Sequence, residues 1–383
     1  MHIAIDAINF NDHVRGPDRY LISLLQTLAA RPDDTRYTIF HAPWQHHYPA
    51  LSLPPRFRFV LCHPPRRRAL RVLWHALVFP RMLRRAKPDV LHLPNLIYVP
   101  RIGVPTVLTV HDLAHYQYPH KFGMLRSLLL RRLLHRTIGN ADLVIAVSDY
   151  TRRDIVRFIG YPAARTRVVW EGGPLLQDQH PAPQPEKDYF LYVGQLERSK
   201  NVDTLVRGFL DSELFKQRGI ELWIAGRMDN AEVDIRAALD GRNDDGRVKL
   251  LGYVADAQLP SLYAGCQAFV FPSLIEGFGL VLLEAMCHGA PVIASDASVM
   301  PEVVGEAGLL VAARNAEAVR VAMERVYTEN GLRDKLRQAG YARLRMFSWE
   351  TAAEETWRCY QEVLDMGRAG LLDVAPLVSR TSQ

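Results

Sequence analysis

Short apolar runs recur along the chain, among them Thr106-Val107-Leu108-Thr109-Val110, Leu143-Val144-Ile145-Ala146-Val147 and Tyr189-Phe190-Leu191-Tyr192-Val193. Between them lie longer stretches in which apolar positions return every three or four residues, as at Leu24, Leu25 and Leu28. Strand patterns alternating with helix patterns predict parallel sheets joined by crossover helices. The runs are apolar at nearly every position, whereas a sheet with one wet face would alternate apolar with polar, so helices are expected on both faces. The predicted class is doubly wound α/β.

The rhythm is interrupted between Gly172 and Asp188, where Gly-Gly-Pro is followed by a Pro-rich polar stretch without periodic apolar positions; a fresh strand begins at Tyr189. That composition marks a linker. A chain of 383 residues also exceeds what one core holds, because single cores stop growing near about 250–300 residues. Two domains are therefore predicted, over 1–172 and 186–349. A further helix is expected over about 350–366, with a weakly ordered tail after Gly367.

Apolar residues at 48% and charged residues at 23% match an ordinary globular protein and exclude disorder. Cys62, Cys266, Cys287 and Cys359 are scattered, without a CxxC or Cys/His pair, which predicts buried thiols and neither a disulfide framework nor a zinc site. No stretch reaches the roughly 18 apolar residues of a spanning helix. Met1 runs directly into the alternating His2-Ile3-Ala4-Ile5 without the basic and apolar segments of a secretory signal, so a cytoplasmic location is expected.

Charge changes this picture. Residues 1–172 hold 25 Lys and Arg against 11 Asp and Glu, net +14, and residues 173–383 hold 22 against 30, net −8. The basic half calls for an anionic partner. Aromatic residues do not interleave with its arginines as a base-stacking platform requires, which argues against nucleic acid. Instead Arg66, Arg67, Arg68, Arg71, Arg81, Arg84 and Arg85 alternate at helical spacing with Leu70, Leu73, Trp74, Leu77 and Val78, and Lys121, Arg126, Arg131, Arg132 and Arg136 repeat the mixture. Basic amphipathic segments lie in the plane of anionic membranes, while two core-packed helices with solvated arginines have the same pattern. Both readings stay open from sequence.

The densest chemistry lies in Pro272-Ser273-Leu274-Ile275-Glu276-Gly277-Phe278-Gly279-Leu280-Val281-Leu282-Leu283-Glu284. A strand over Ala268–Phe271, a glycine turn and a helix start form an anion site, because unpaired N–H groups and the helix dipole point at the ligand. His111 follows the strand that ends at Val110, at a carboxyl end where open α/β sheets bind ligands, with Asp112 beside it as a candidate to orient the ring. The first strand carries no G-x-G-x-x-G, no P-loop lysine motif occurs, and Ser148 lacks the glycine elbow of a hydrolase.

Glutamate, seven residues and glutamate around a Gly-Phe-Gly core resembles the signature of glycosyltransferase family 4. His288–Asp296 and Pro301–Val311 are similar to its continuation; the likeness covers nearly the whole chain and is most specific from 189 to 311. It implies the GT-B fold, two Rossmann-like domains facing a central cleft, with the final helix crossing back onto the first. It also implies a retaining, metal-independent enzyme without a cofactor. Such an enzyme would move a hexose, mannose or a related sugar, from a GDP- or UDP-linked donor to a lipid-linked saccharide or glycolipid in surface polysaccharide biosynthesis; the arginine-rich segments 66–85 and 121–136 add the expectation that it lies on the inner face of the cytoplasmic membrane.

By the same resemblance Glu276 meets the donor hexose, Gly277, Phe278, Gly279 and Leu280 face sugar and phosphate, and Glu284 binds the ribose. The loop through Gly194 brings Arg198 and Lys200 to the diphosphate, departing from the family at Gln195 and Ser199, where relatives often carry arginine. His111 reaches the hexose from the acceptor domain, and Gly16 and Arg19 stand in the acceptor or phosphate loop, with Pro17 in place of a second glycine. A nucleotide-sugar 2-epimerase on the same fold and a non-catalytic sugar-nucleotide-binding subunit are the alternatives.

Overall fold

The computed structural model describes residues 1–10, 16–117, 124–174, 187–243, 245–370 and 372, with backbone alone described at 68–69, 115 and 124–130. The chain forms two compact units, Met1–Gly172 with Trp349–Gln383, and Gly173–Ser348.

In the first unit β1 (His2–Asp6), β2 (Arg36–His41), β3 (Phe57–Leu61), β4 (Val90–Leu93), β5 (Thr106–Val110), β6 (Leu143–Ala146) and β7 (Thr166–Val168) form one sheet in the order β3-β2-β1-β4-β5-β6-β7. All neighbours are parallel. Alternate residues feed two cores, as strand geometry requires. Ile3 and Ile5 pack with Leu21, Leu24, Leu25 and Leu28 on one face, and Ala4 packs with Phe79 and Leu83 on the other. The last helix, Trp349–Arg368, belongs to this unit and buries Ala352, Tyr360 and Val363 in the first of these cores. Full burial of an apolar side chain is worth about 1.5–3 kcal/mol, so this helix is an integral layer of the sheet.

In the second unit β8 (Tyr189–Val193), β9 (Glu221–Ala225), β10 (Val248–Gly252), β11 (Phe269–Phe271), β12 (Val292–Ser295) and β13 (Gly308–Val311) form a parallel sheet in the order β10-β9-β8-β11-β12-β13. In each sheet the strand order reverses once, between β1 and β4 and between β8 and β11. Loops diverge at that point and leave a crevice outside the carboxyl ends of the strands. All four cysteines are buried and none forms a disulfide. No helix among the described residues is long and apolar enough to cross a membrane.

The helix Val202–Leu210, which follows the loop leaving β8, packs closely on the helix Ala316–Thr328 through Gly208; a Cβ there would lie 2.5 Å from the Ala316 carbonyl oxygen. Glycine to alanine inside a helix ordinarily gains about 1 kcal/mol. Here overpacking of about 1–3 kcal/mol outweighs that gain. Gly208→Ala is expected to lower the urea midpoint of unfolding; a raised midpoint would refute the close contact.

Candidate functional site

Polar side chains gather at the carboxyl ends of the strands in both sheets. In the second unit β8 runs into Gly194, and the Gly194 carbonyl lies where a Cβ on Gly226 would fall, 1.7 Å away, so these two strand ends approach as only glycine permits. The chain then makes the 3-10 turn Arg198–Lys200. From the adjacent β11, Pro272 and Ser273 lead to Glu276 and to Gly279, whose left-handed φ of 86° starts the helix Leu280–Cys287.

Neighbouring strands thereby set Lys200 beside Glu276, with Nζ donating to Oε1 at 2.6 Å. The pair is largely buried, with the lysine side chain 21% and the glutamate 15% exposed. The Ser273 hydroxyl stands 3.0 Å from the same Oε1. The first-turn N–H groups of Leu280–Cys287 and its dipole add positive potential beside them. Glu284 lies in that helix and accepts a long bond, 3.4 Å, from the hydroxyl of Tyr263, whose ring stacks on His288.

Arg198 is not gathered with them. Its Nε donates to Asp234 Oδ2 at 2.7 Å and its guanidinium is two-thirds exposed. The cause is local: side chains in a 3-10 turn eclipse every third residue, so residues two apart diverge.

In the first unit His111 follows β5. Its Nδ1 faces Glu171 Oε1 at 3.0 Å and its Nε2 faces the Pro94 carbonyl, beyond β4, also at 3.0 Å. Two acceptors require two N–H donors, so the ring is held as imidazolium. Burial works against that charge, but the hydrogen bond and charge of Glu171, aided by the Pro94 carbonyl, leave the pKa raised above 6.5. Asp112 does not orient the ring; its carboxylate accepts from the Ala114 amide at 2.9 Å, and Glu171 holds the histidine instead. Nothing in the sequence singles out Glu171, a lone acid between Trp170 and Gly172 that folding carries across 60 positions to the ring.

Behind His111 runs a buried chain of polar groups. Tyr20 sets its ring edge-on to the imidazole, 4.9 Å between centroids, and its hydroxyl lies 3.2 Å from Thr109 Oγ1. Thr109 meets His92 Nε2 at 2.9 Å, and His92 Nδ1 meets the Tyr360 hydroxyl at 2.8 Å. Burial, with the neighbouring His111 charge, pushes His92 down to about 3, so it stays neutral. Gly16 opens the helix Gly16–Ala29 and Arg19 lies half-buried within it. Lys121 lies outside the described residues, as does the side chain of Arg126. No trio of His, Cys, Asp or Glu side chains arranged to hold a metal ion occurs among the described residues.

The sequence matches the family described as "Glycosyltransferase Family 4" over residues 14–172 and "Glycosyl transferases group 1" over residues 187–329. It is 31% identical over 313 residues to O-antigen chain mannosyltransferase B of Escherichia coli, covering 77% of this chain and 81% of the relative. Serotype-specific mannosyltransferase WbdA of the same species is 25% identical over 278 residues, and there the match takes in 67% of this chain and 34% of the longer relative. Among solved structures, Anabaena Alr3699/HepE in complex with UDP and glucose superposes with a TM-score of 0.70 at 18% identity, covering 94% of this chain and all of that one.

The His111–Glu171 pair has a pH signature. Because the folded-state pKa of His111 is raised, its stabilisation is fully present below the unfolded value of about 6.5 and is lost as pH rises through the folded value. Glu171→Gln is expected to destabilise the first unit by about 2 kcal/mol near pH 6, the scale of a hydrogen bond to a charged group. The gap from wild type should shrink toward pH 9. A gap in melting temperature that does not change with pH would contradict the imidazolium assignment.

Proposed function

Since the chain belongs to glycosyltransferase family 4 and is a GT-B glycosyltransferase, we propose that it moves a hexose, mannose or a related sugar, from a GDP- or UDP-linked donor to a lipid-linked saccharide or glycolipid. The anomeric configuration is retained, and neither a metal ion nor a cofactor takes part. The observation that carries this reading is the part-buried Lys200–Glu276 pair at the reversal point of the second sheet, beside a helix N-terminus. Mannose is favoured because both Escherichia coli relatives described above are named mannosyltransferases. A UDP-linked donor has support from a fold neighbour solved with UDP and glucose.

In this mechanism the bond between the anomeric carbon and the donor phosphate oxygen breaks, positive charge grows on the sugar ring and negative charge on the departing diphosphate, while the acceptor hydroxyl oxygen bonds to the anomeric carbon from the same face and gives its proton to the departing phosphate oxygen. Lys200 and the first-turn amides of Leu280–Cys287 stabilise the diphosphate, which is electrostatic preorganisation in place of a divalent ion. Glu276 holds hexose hydroxyls and supports the ring charge, while Glu284 takes the ribose. Retention without a lasting covalent intermediate requires no carboxylate at nucleophile distance. His111 is already donating from both ring nitrogens, which supports an orienting role and disfavours a general base. Arg198 serves the diphosphate only by leaving Asp234, so Lys200 is the principal cation.

A lipid-bound acceptor and attachment to the cytoplasmic face of an anionic membrane are supported by the helices Arg68–Leu77 and Phe79–Ala86. Leu70, Leu73, Leu77 and Val78 are 49%, 55%, 54% and 38% exposed there. Arg66, Arg67, Arg81, Arg84 and Arg85, all exposed, flank them in sequence. The opposite side packs inward through His75, Phe79 and Leu83. Core packing therefore leaves four large apolar side chains in water, where solvated arginines alone would need none.

Glu276→Ala is expected to lower kcat about a hundredfold with little change in donor KM, and Glu284→Ala to weaken nucleoside diphosphate binding about tenfold, because hexose contacts tighten in the transition state and ribose contacts act in the ground state. Wild-type turnover should persist in EDTA. Full activity of both variants, or loss on chelation restored by Mg²⁺, would overturn the assignment.

Co-sedimentation with phosphatidylglycerol vesicles should be strong at 0.1 M salt and weak at 1 M, as the Debye length falls from about 10 to about 3 Å. Changing Arg66, Arg67, Arg81, Arg84 and Arg85 to Gln should abolish it. Equal sedimentation of this variant would remove the membrane from the proposal.

A further inference from the structure

Among the described residues three that are not glycine have left-handed backbone, Lys87, Asn201 and Ser298, with φ of 47°, 58° and 58°. Lys87 caps the end of the helix Phe79–Ala86, an ordinary place for such a conformation. The other two belong to the second unit, and both grip the loop that carries Glu276. Strain of this kind persists only where surrounding contacts hold it, and it gathers at functional sites.

Asn201 directly follows Lys200. Its buried side chain donates from Nδ2 to the Pro272 carbonyl at 3.1 Å and to the Ala313 carbonyl, while Oδ1 accepts from Thr204 Oγ1 at 2.7 Å. Beside it the Leu274 amide donates to the Ser199 carbonyl at 2.8 Å. The loops leaving β8 and β11 are thus laced together between Lys200 and Glu276. Asparagine tolerates left-handed backbone better than most residues, so Asn201 is the less strained of the two.

Ser298 lies after β12 and before the helix Met300–Val304, at neither end of a helix. Its Oγ accepts the Glu276 amide at 2.9 Å, and its hydroxyl donates to the Glu276 carbonyl at 2.7 Å. A single side chain therefore satisfies both backbone groups of the glutamate, in a turn whose next residues are Gly277, Phe278 and Gly279. Glycine would adopt this backbone without strain. Packing or chain reversal alone would be served at least as well by glycine; only the hydroxyl makes the clasp.

Resting on the glycosyltransferase reading above, we infer that Ser298 is a positioning residue that fixes Glu276 through its backbone. It keeps the carboxylate on the hexose as charge develops. Both of its hydrogen bonds go to the Glu276 backbone. Glu276 already has one oxygen held by Lys200 and Ser273, so the clasp settles the remaining freedom, rotation of the peptide units on either side. A carboxylate displaced by even about 1 Å loses much of its effect on a transition state.

The test uses the full-length protein with GDP-mannose and UDP-glucose as donors and octyl α-mannoside as acceptor, following release of nucleoside diphosphate. Ser298→Gly keeps the backbone and removes the clasp. Its kcat is expected to fall about tenfold with donor KM within about twofold and the melting temperature near that of wild type, because relief of strain offsets the lost bonds. Amide hydrogen exchange over 274–279 should accelerate. In a Glu276→Gln background the same change should lower kcat no further, as for residues acting as one unit.

A Ser298→Gly variant with wild-type kcat, or one whose loss multiplies in full with that of Glu276→Gln, overturns the inference. Should Ser298→Gly not fold, Ser298→Ala read by the same cycle decides in its place. If Glu276→Gln alone turns over like wild type, or wild type releases no nucleoside diphosphate from either donor, the functional reading falls first and takes this inference with it. A normal defect in Glu276→Gln with none in Ser298→Gly rejects the clasp alone.

Discussion

A lysine and a glutamate 76 residues apart meet at 2.6 Å in a largely buried position, and much of the second unit is arranged around that contact. Breaking a buried charge pair by removing one partner costs about 3–5 kcal/mol, whereas the intact pair adds little net stability over apolar packing. Such a pair is poor value as a structural rivet. It suits a site where both charges are needed later, one for an anion and one for hydroxyl groups. The pair forms because β8 and β11 are neighbours, and their loops leave the sheet at the point where strand order reverses.

Several smaller devices keep those loops in place. Gly226 allows the Gly194 carbonyl an approach that any Cβ would block. Asn201 and Ser298 hold left-handed backbone conformations while bonding the loop that carries Glu276, Asn201 at the Pro272 carbonyl and Ser298 at the amide and carbonyl of Glu276 itself. Gly208 lets the helix behind Lys200 settle on the helix Ala316–Thr328. Each is unremarkable alone, but all of them restrict the same few residues, which is what a preorganised electrostatic site requires.

The first unit solves a different problem, holding a charged imidazole in a poorly solvated place. Glu171 and the Pro94 carbonyl take both of its N–H groups, and Tyr20 covers it edge-on. The chain from Tyr20 through Thr109 and His92 ends on Tyr360, in a helix nearly the whole chain length away from β1. The C-terminal helix thus contributes to the surroundings of His111 as well as to the core. His92 stays neutral partly because His111 is charged, so two interacting histidines take opposite protonation states.

Local order along the chain was enough to reveal the alternating strands and helices, the glycine turn before Leu280, the two glutamates and the strand-end position of His111. These follow from residue periodicity and from the few conformations that glycine and short apolar runs allow. The family could be recognised for the same reason, since its signature is one contiguous segment. Partner choice over long separations was decided only in three dimensions. Asp112 is adjacent to His111 in sequence, yet it caps a turn, and Glu171 takes the ring because parallel strands bring distant loop ends together. Arg198 is two residues from Lys200, yet the pitch of a 3-10 turn sends it to Asp234. The exposed leucines around residues 70–78 read in sequence as either core or surface, because an amphipathic period says which residues share a face but not which face is covered. Register, strand order and the covering of faces are properties of the packed sheet, and they set which charges meet.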